Sequence, residues 1–144
     1  MSPLLLAMLD ELRDTTGVSI SISPVDGAIG RHAGEDSKSS HNVDVQPYNE
    51  VRAVDIFPRI KGKPLTTHQA QEFFKAAKNL GFTGIGVYPF WKPVPGFHLD
   101  VRRGKDAGDP ATWGDIGKGG QHVYTDLHSA MKKWSEDIQW DTFN

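Results

Sequence analysis

The sequence places an imidazole and a carboxylate two positions apart in a short apolar segment. Polar and apolar residues alternate over 97–102, which is typical of a β-strand with one buried face. Side chains two positions apart lie on the same side of a strand, so His98 and Asp100 share one face while Leu99 and Val101 share the other. The polar face is either an ordinary solvated surface or a pair of groups suited to metal binding and proton transfer.

Asp55 is a second candidate for chemistry. It lies between Val54 and Ile56 in the β-branched segment 51–57, although aspartate is depleted in strands. A carboxylate in such surroundings is costly to bury unless it is paired, hydrogen-bonded or bound to a metal. A salt bridge to an arginine or an exposed edge position would explain it equally well, so these interpretations stay open beside a metal or catalytic role.

His41 completes a possible metal site. It lies in the segment 24–50, which is rich in Gly, Ser, Asp and Asn and is too long for an idle connection in a compact domain. His41, Asp55 and His98 have the composition of catalytic zinc sites that keep one position for water. The chain has no cysteine, which excludes disulfide scaffolds, cysteine zinc fingers and thiol nucleophiles, so any metal must bind to His and carboxylate side chains.

Composition limits the other classes of function. The chain has 144 residues, a net charge of −2 and 38% hydrophobic residues, which predicts one domain over 1–144. The basic residues are scattered, so we expect no nucleic-acid partner. The apolar run at 4–9 has no basic residues before it and is followed by Asp10 and Glu11. We therefore expect no signal peptide, no membrane span, and a protein that is cytoplasmic as made. We also expect a monomer.

Periodicity predicts the elements that must position these residues. We expect an α+β fold, a small mainly antiparallel sheet with flanking helices. The segments 84–88 and 97–102 would pair as a hairpin-like unit. The predicted helices cover 3–15, 66–80 and a final stretch containing Leu127, Ala130, Met131 and Trp134, and the predicted strands cover 18–23, 51–57 closed by Pro58, 84–88 and 97–102, with a Gly-rich loop over 104–120.

Several separated segments resemble one family. The chain is similar to the zinc D-Ala-D-Ala carboxypeptidases and related phage peptidoglycan endopeptidases, which share the hedgehog/D,D-peptidase fold. The resemblance covers about 18–114. It rests, in order, on Ser40-His41, Arg52-Ala53-Val54-Asp55, Gly84-Ile85-Gly86-Val87-Tyr88, Gly96-Phe97-His98-Leu99-Asp100-Val101-Arg102 and Trp113-Gly114.

The resemblance implies a zinc site and a reaction. The family motif S-x-H-x-x-G-x-A-x-D supplies a His and an Asp, and a later strand supplies a second His, so His41, Asp55 and His98 would bind Zn²⁺. Here the Asp follows the His by 55 − 41 = 14 positions, further than in the motif, which leaves His32 as the reserve for His41. The family often has an acid three positions before the second His, where this chain has Pro95. Asp100 would then be the general base, or would only orient His98.

The resemblance also implies a partner, and the expected lack of a signal peptide bears on location. The substrate would be a peptidoglycan stem peptide, cut by a carboxypeptidase or an endopeptidase. Without a signal peptide, we expect a phage or bacterial lytic protein that reaches the cell wall with the help of a holin or of the virion. Arg31 or Arg102 would meet a substrate carboxylate, unless both are structural or solvated. Trp91 and Trp113, both placed in loops, would either line a substrate groove or serve only in packing. Two alternatives remain: a non-catalytic structural or binding module such as a phage particle component, and an unrelated α+β domain in which His41 and His98 lie far apart.

Overall fold

A computed structural model of the chain describes residues 2–23 and 52–134. The candidate residues Arg31 and His41, and the reserve His32, lie outside these ranges. The described elements, in chain order, are α1 (Pro3–Thr16), β1 (Ser19–Ile22), β2 (Ala53–Ile60), β3 (Lys63–Pro64), α2 (Thr67–Leu80), β4 (Gly84–Tyr88), β5 (Gly96–Asp100), β6 (Ala111–Asp115), β7 (Tyr124–Thr125) and a third helix, α3, over 127–134.

The strands form one sheet with β5 near its centre. The order is β1-β2-β5-β4-β6-β7, and the short β3 pairs with β2. All pairs are antiparallel except β4 with β6, which is parallel. The predicted mix of helices and a mainly antiparallel sheet is confirmed, as is the pairing of β4 with β5. With seven strands, however, the sheet is larger than predicted.

The ends of the first two helices follow from their capping residues. The Ser2 side chain accepts a hydrogen bond from the Leu5 N–H, Pro3 occupies the first turn, and Gly17 ends α1 in the left-handed conformation with φ of 70°. This conformation favours glycine, which has no β-carbon to clash. Thr66 and Gln69 form the predicted reciprocal capping box at the start of α2. Both helices therefore begin and end within two residues of the predicted positions.

The hydrophobic core lies on one face of the sheet. Val54, Leu99 and Ile85 are cross-strand neighbours, and all three are fully buried in a cluster that also contains residues of α1, α2 and α3. The Trp134 ring of α3 packs against Phe97 of β5. Because side chains alternate across a strand, this packing leaves Asp55, His98 and Asp100 on the opposite face.

Three sequence predictions need correction. Pro58 does not close a strand, because β2 continues to Ile60; the pairing of β2 with β5 ends at Ile56, so the missing N–H at Pro58 breaks no bond on that edge. The predicted loop over 104–120 contains β6. Trp113 therefore lies in a strand, not in a loop, whereas Trp91 does lie between strands.

Over residues 2–23 and 52–134, no helix combines the length and the apolar character needed to cross a bilayer.

Candidate functional site

The face of the sheet opposite the core carries a row of four residues from four strands. Asp55 of β2 pairs with His98 of β5, His98 pairs with Gly86 of β4, and Gly86 pairs with Trp113 of β6. Residues directly opposite each other in paired strands lie on the same face. The register therefore brings together Asp55 and His98, two of the predicted metal ligands, and Trp113, one of the predicted groove residues.

The His98 imidazole lies between two carboxylates. Its Nε2 is 2.7 Å from Oδ2 of Asp100, and its Nδ1 is 3.1 Å from Oδ1 of Asp55. Asp100 is fully buried, the His98 side chain is 9% exposed and the Asp55 side chain is 24% exposed. Solvent therefore reaches the site beside Asp55 but not beside Asp100.

Arg102 holds the Asp100 carboxylate in a fixed orientation. Its Nε donates to Oδ1 of Asp100 at 2.9 Å, its guanidinium NH2 donates to Oδ2 at 2.7 Å, and its backbone N–H donates to Oδ1 at 3.1 Å. Such two-pronged arginine–carboxylate pairs are among the stronger polar contacts in proteins. The guanidinium also lies over the Trp113 ring, 5.0 Å from its centroid. The Arg102 side chain thus contacts both Asp100 and Trp113.

These contacts set the protonation of the pair. Burial raises the pKa of the Asp100 carboxyl, but the hydrogen bonds from His98 and Arg102 outweigh burial and lower that pKa to about 2. Burial lowers the pKa of the His98 imidazole, yet hydrogen bonds to Asp100 and Asp55 raise it above its ordinary value. Asp100 is therefore ionised at neutral pH, and because an ionised carboxylate only accepts, Nε2 of His98 must carry a proton.

The remaining ring nitrogen of His98 faces the Asp55 carboxylate. A neutral imidazole protonated at Nε2 has a lone pair at Nδ1, which would repel the oxygen of an ionised Asp55. The contact is favourable in three states: an imidazolium that donates from both nitrogens, a protonated Asp55 carboxyl that donates to Nδ1, or a neutral imidazole that shares a cation with Asp55. With metal–ligand bonds of about 2.0–2.1 Å, two ligands of one tetrahedral Zn²⁺ lie about 3.3 Å apart, close to the 3.1 Å between Nδ1 and Oδ1.

Glycines of β4 and β5 provide the floor on which these side chains lie. A β-carbon at Gly84 would overlap the Asp100 carboxylate, and one at Gly86 would lie 2.6 Å from the Trp113 ring. Gly96 is likewise covered by Trp91, whose ring would be 2.5 Å from an added β-carbon. The glycines, which sequence reasoning assigned no function, are required for the close approach of Asp100, Trp113 and Trp91 to the sheet.

An aromatic group borders the site along β4. The Tyr88 and Trp91 rings stack with centroids 4.0 Å apart, and Phe57 meets Trp91 edge-on at 6.0 Å. The Trp113 ring lies 5.0 Å from the His98 ring, and its Nε1 donates to the Tyr88 hydroxyl at 2.9 Å. The structure thus places both predicted tryptophans beside the site and adds Tyr88, which follows Gly86 by two positions and so shares its face.

A second His–Asp pair lies beyond this aromatic group. Asp115 is buried and accepts hydrogen bonds from Nδ1 of His122 at 2.6 Å and from the backbone N–H groups of Gly117 and Val123. These bonds tie both ends of the loop between β6 and β7. Sequence reasoning missed Asp115 because β6 itself was not predicted, and the signal that would have found it is the spacing Trp113-x-Asp115 on one strand face.

Within residues 2–23 and 52–134, no three or more His, Cys, Asp or Glu side chains are placed to share a metal ion. Asp55 and His98 fit two positions of a zinc site. The predicted third ligand, His41, lies outside the described residues.

Comparisons of the chain with models of known protein families, with curated proteins and with solved structures find no match.

Proposed function

We propose that the protein is a zinc metallopeptidase of the hedgehog/D,D-peptidase-like fold that hydrolyses peptide bonds of peptidoglycan stem peptides. The observation that carries the proposal is the placement of His98, with Nδ1 beside Asp55 and Nε2 held by a buried carboxylate. Metal-binding histidines commonly donate their second nitrogen to a carboxylate in this way. The sheet register also brings the two proposed ligands together from segments that are far apart in sequence.

The proposed zinc ligands are Asp55, His98 and His41, the last of which rests on the sequence resemblance. When bound, Zn²⁺ lowers the pKa of a water molecule to about 7 and polarises a carbonyl group. The chain's own contribution is to hold His98 in one tautomer and one ring orientation, with Nδ1 toward Asp55.

We assign Asp100 and Arg102 to positioning this histidine. Asp100 is fully buried, its carboxylate oxygens accept hydrogen bonds from His98 and Arg102, and its pKa is about 2. Such a group is a poor proton acceptor near neutral pH, which favours the orienting role over the role of general base. Arg102 is engaged with Asp100 and Trp113, so it supports the site more directly than it meets a substrate carboxylate.

Metal analysis tests the site. Protein purified without a histidine tag should contain about one equivalent of zinc, and His98→Ala should lose it, because His98 supplies a ligand. His68→Ala, which removes an imidazole from the first turn of α2, is the matched control and should retain the metal. Wild-type protein without zinc, or zinc that is unaffected by His98→Ala, would overturn the assignment.

A digest of purified cell wall tests the reaction. A peptidase releases new amino termini or free D-alanine, and the His98→Ala variant should release neither. Zinc-loaded wild-type protein that binds the wall without releasing either product would instead show that the domain is a non-catalytic module.

A further inference from the structure

Tyr88 is the last residue of β4 and lies diagonally across from His98. Gly86 pairs with His98 and Tyr88 pairs with Gly96, so Tyr88 and His98 lie on the same face of adjacent strands. Diagonal neighbours of this kind have Cα atoms roughly 7–8 Å apart. Since an extended peptide advances about 3.3 Å per residue, one substrate peptide lying across the face would meet both side chains within two or three residues.

Trp113 fixes the direction of the Tyr88 hydroxyl. Its indole Nε1 donates to the Tyr88 oxygen at 2.9 Å, while its ring lies 5.0 Å from the His98 ring. The Tyr88 ring is itself held by stacking on Trp91 at 4.0 Å. Trp113 therefore contacts both the Tyr88 phenol and the His98 imidazole. These contacts restrict the orientations of the Tyr88 and Trp113 rings.

The Tyr88 hydroxyl has accepted one hydrogen bond and still has a hydrogen to donate. Over residues 2–23 and 52–134, no side chain or backbone oxygen accepts it. Burial raises the pKa of Tyr88 well above its ordinary value; the Trp113 hydrogen bond lowers it by less, and the Asp55 charge raises it further. The phenol is thus a neutral donor across the physiological pH range.

A cavity of about 280 Å³ opens beside Tyr88. Its lining includes Phe90, Trp91, Asp115, Gly120 and His122. Binding sites for small ligands are mostly apolar with a few fixed polar groups, and this cavity has that composition. The part of its lining formed by the loop that carries His122 is also held in place, since the Asp115 carboxylate accepts hydrogen bonds from His122 and Val123.

We propose that Tyr88 is a hydrogen-bond donor to an oxygen atom of the peptide substrate close to the scissile bond, that Trp113 positions this donor, and that the cavity holds the adjoining substrate residue. This inference rests on the proposed peptidase function. A neutral donor suits a peptide carbonyl oxygen because it supplies a hydrogen bond without adding charge beside Asp55. The donor becomes more effective if negative charge develops on that oxygen during hydrolysis.

Tyr88→Phe tests the donor because it removes only the oxygen and keeps the ring that stacks on Trp91. With a soluble stem pentapeptide ending in D-Ala-D-Ala, kcat/KM should fall about 10- to 100-fold, mainly in kcat, with zinc content unchanged. The melting temperature should fall only slightly, because Trp113 Nε1 loses its acceptor. In EDTA, where no cleavage occurs, calorimetry should show that the same pentapeptide binds the variant several-fold more weakly than it binds wild type. Tyr124→Phe removes an exposed phenol nearby and is the matched control.

Trp113→Phe tests the positioning role. It keeps an aromatic ring near His98 but removes the Nε1 donor, so kcat/KM should fall by less than in Tyr88→Phe. In the Tyr88→Phe background it should have almost no further effect, because its action passes through the hydroxyl. Independent, multiplicative losses would show that Trp113 acts only as packing.

The outcomes separate this inference from the proposed function. Wild-type cleavage with Tyr88→Phe within twofold of wild type in kcat/KM and in pentapeptide affinity overturns the role of Tyr88 and leaves the peptidase intact. Wild-type binding without cleavage overturns the peptidase, and the calorimetric comparison then decides whether Tyr88 contacts the peptide. Wild type that neither cleaves nor binds overturns both.

Discussion

At the scale of single residues, the site depends on a buried carboxylate that does not itself face solvent. Asp100 is fully buried between His98 and Arg102. Its charge fixes the proton of His98 on Nε2 and leaves Nδ1 for Asp55. A residue of this kind acts through its neighbour. The types and spacing of His98 and Asp100 therefore indicated a functional pair, but did not show whether Asp100 is a general base or only orients His98.

Asp100→Asn should weaken zinc binding about 10- to 100-fold. The substitution removes the negative charge that orients the His98 ring and makes its Nδ1 a stronger ligand for the metal. Competition with a chromogenic chelator measures the change. Asp109→Asn is the matched control, since its side chain is 87% exposed and lies 3.6 Å from Lys105. An unchanged zinc affinity in Asp100→Asn would contradict the orienting role.

The sequence predicted part of this residue set. Alternation along 97–102 correctly placed His98 and Asp100 on one face, and the unusual Asp55 in an apolar strand lies beside them. Tyr88 and Asp115 were missed because their positions beside the site depend on the strand order and on β6. The β6 residues Thr112, Trp113 and Gly114 lie in a Gly-rich stretch that lacks the pattern of a strand. No local pattern specifies that β4 and β6 are parallel neighbours.

At the scale of elements, capping residues and turn glycines were reliable signals, whereas the proline at position 58 was not. The bounds of α1 and α2 follow from Ser2, Thr66 and their terminal glycines. Pro58 lies inside β2, because the need for a backbone N–H depends on whether a neighbouring strand is present at that position. Sequence alone does not give the length over which two strands pair.

The loop between β6 and β7 should make stability depend on pH through Asp115. Burial raises the pKa of this carboxyl, but hydrogen bonds from His122, Val123 and Gly117 outweigh burial and lower it below its ordinary value of 3.8. A lowered pKa in the folded state gives stability that is present above the unfolded pKa and is lost as the pH falls through the folded pKa.

Asp115→Asn should therefore be less stable than wild type by about 1–3 kcal/mol at pH 7, and the difference should shrink toward pH 3. Urea unfolding at both pH values measures it. Asp109→Asn, which removes an exposed carboxylate, should show little difference at either pH. A gap between Asp115→Asn and wild type that is equal at pH 7 and pH 3 would contradict the assignment to the Asp115 charge.

At the scale of the whole molecule, one face of the sheet packs against the hydrophobic core and the other carries the candidate site. Phe97 and His98 are adjacent in β5; Phe97 packs into the core against Trp134 and Phe73, while His98 faces the site. Trp134 is fully buried, and its Nε1 donates to the Leu65 carbonyl at 2.7 Å. A single residue of α3 thus connects that helix, the segment before α2 and the central strand.

Trp134→Phe should destabilise the protein by about 2–3 kcal/mol, because it removes buried volume and leaves the Leu65 carbonyl without this donor. For a domain of this size the melting temperature should fall by roughly 6–10 °C. Circular dichroism measures the shift, and zinc content at 25 °C should be retained, since the substitution is on the core face. An unchanged melting temperature would contradict the role given to Trp134.

The register of the central strands has a consequence for assembly of the chain. Asp55 and His98 are 43 residues apart in sequence, and they meet only when β5 has entered the sheet between β2 and β4. A slip of one residue in β5 would turn His98 into the core and Leu99 out of it. A cation held by Asp55 and His98 would therefore stabilise only correctly registered chains, so that its binding would act as a check on the folding of the sheet.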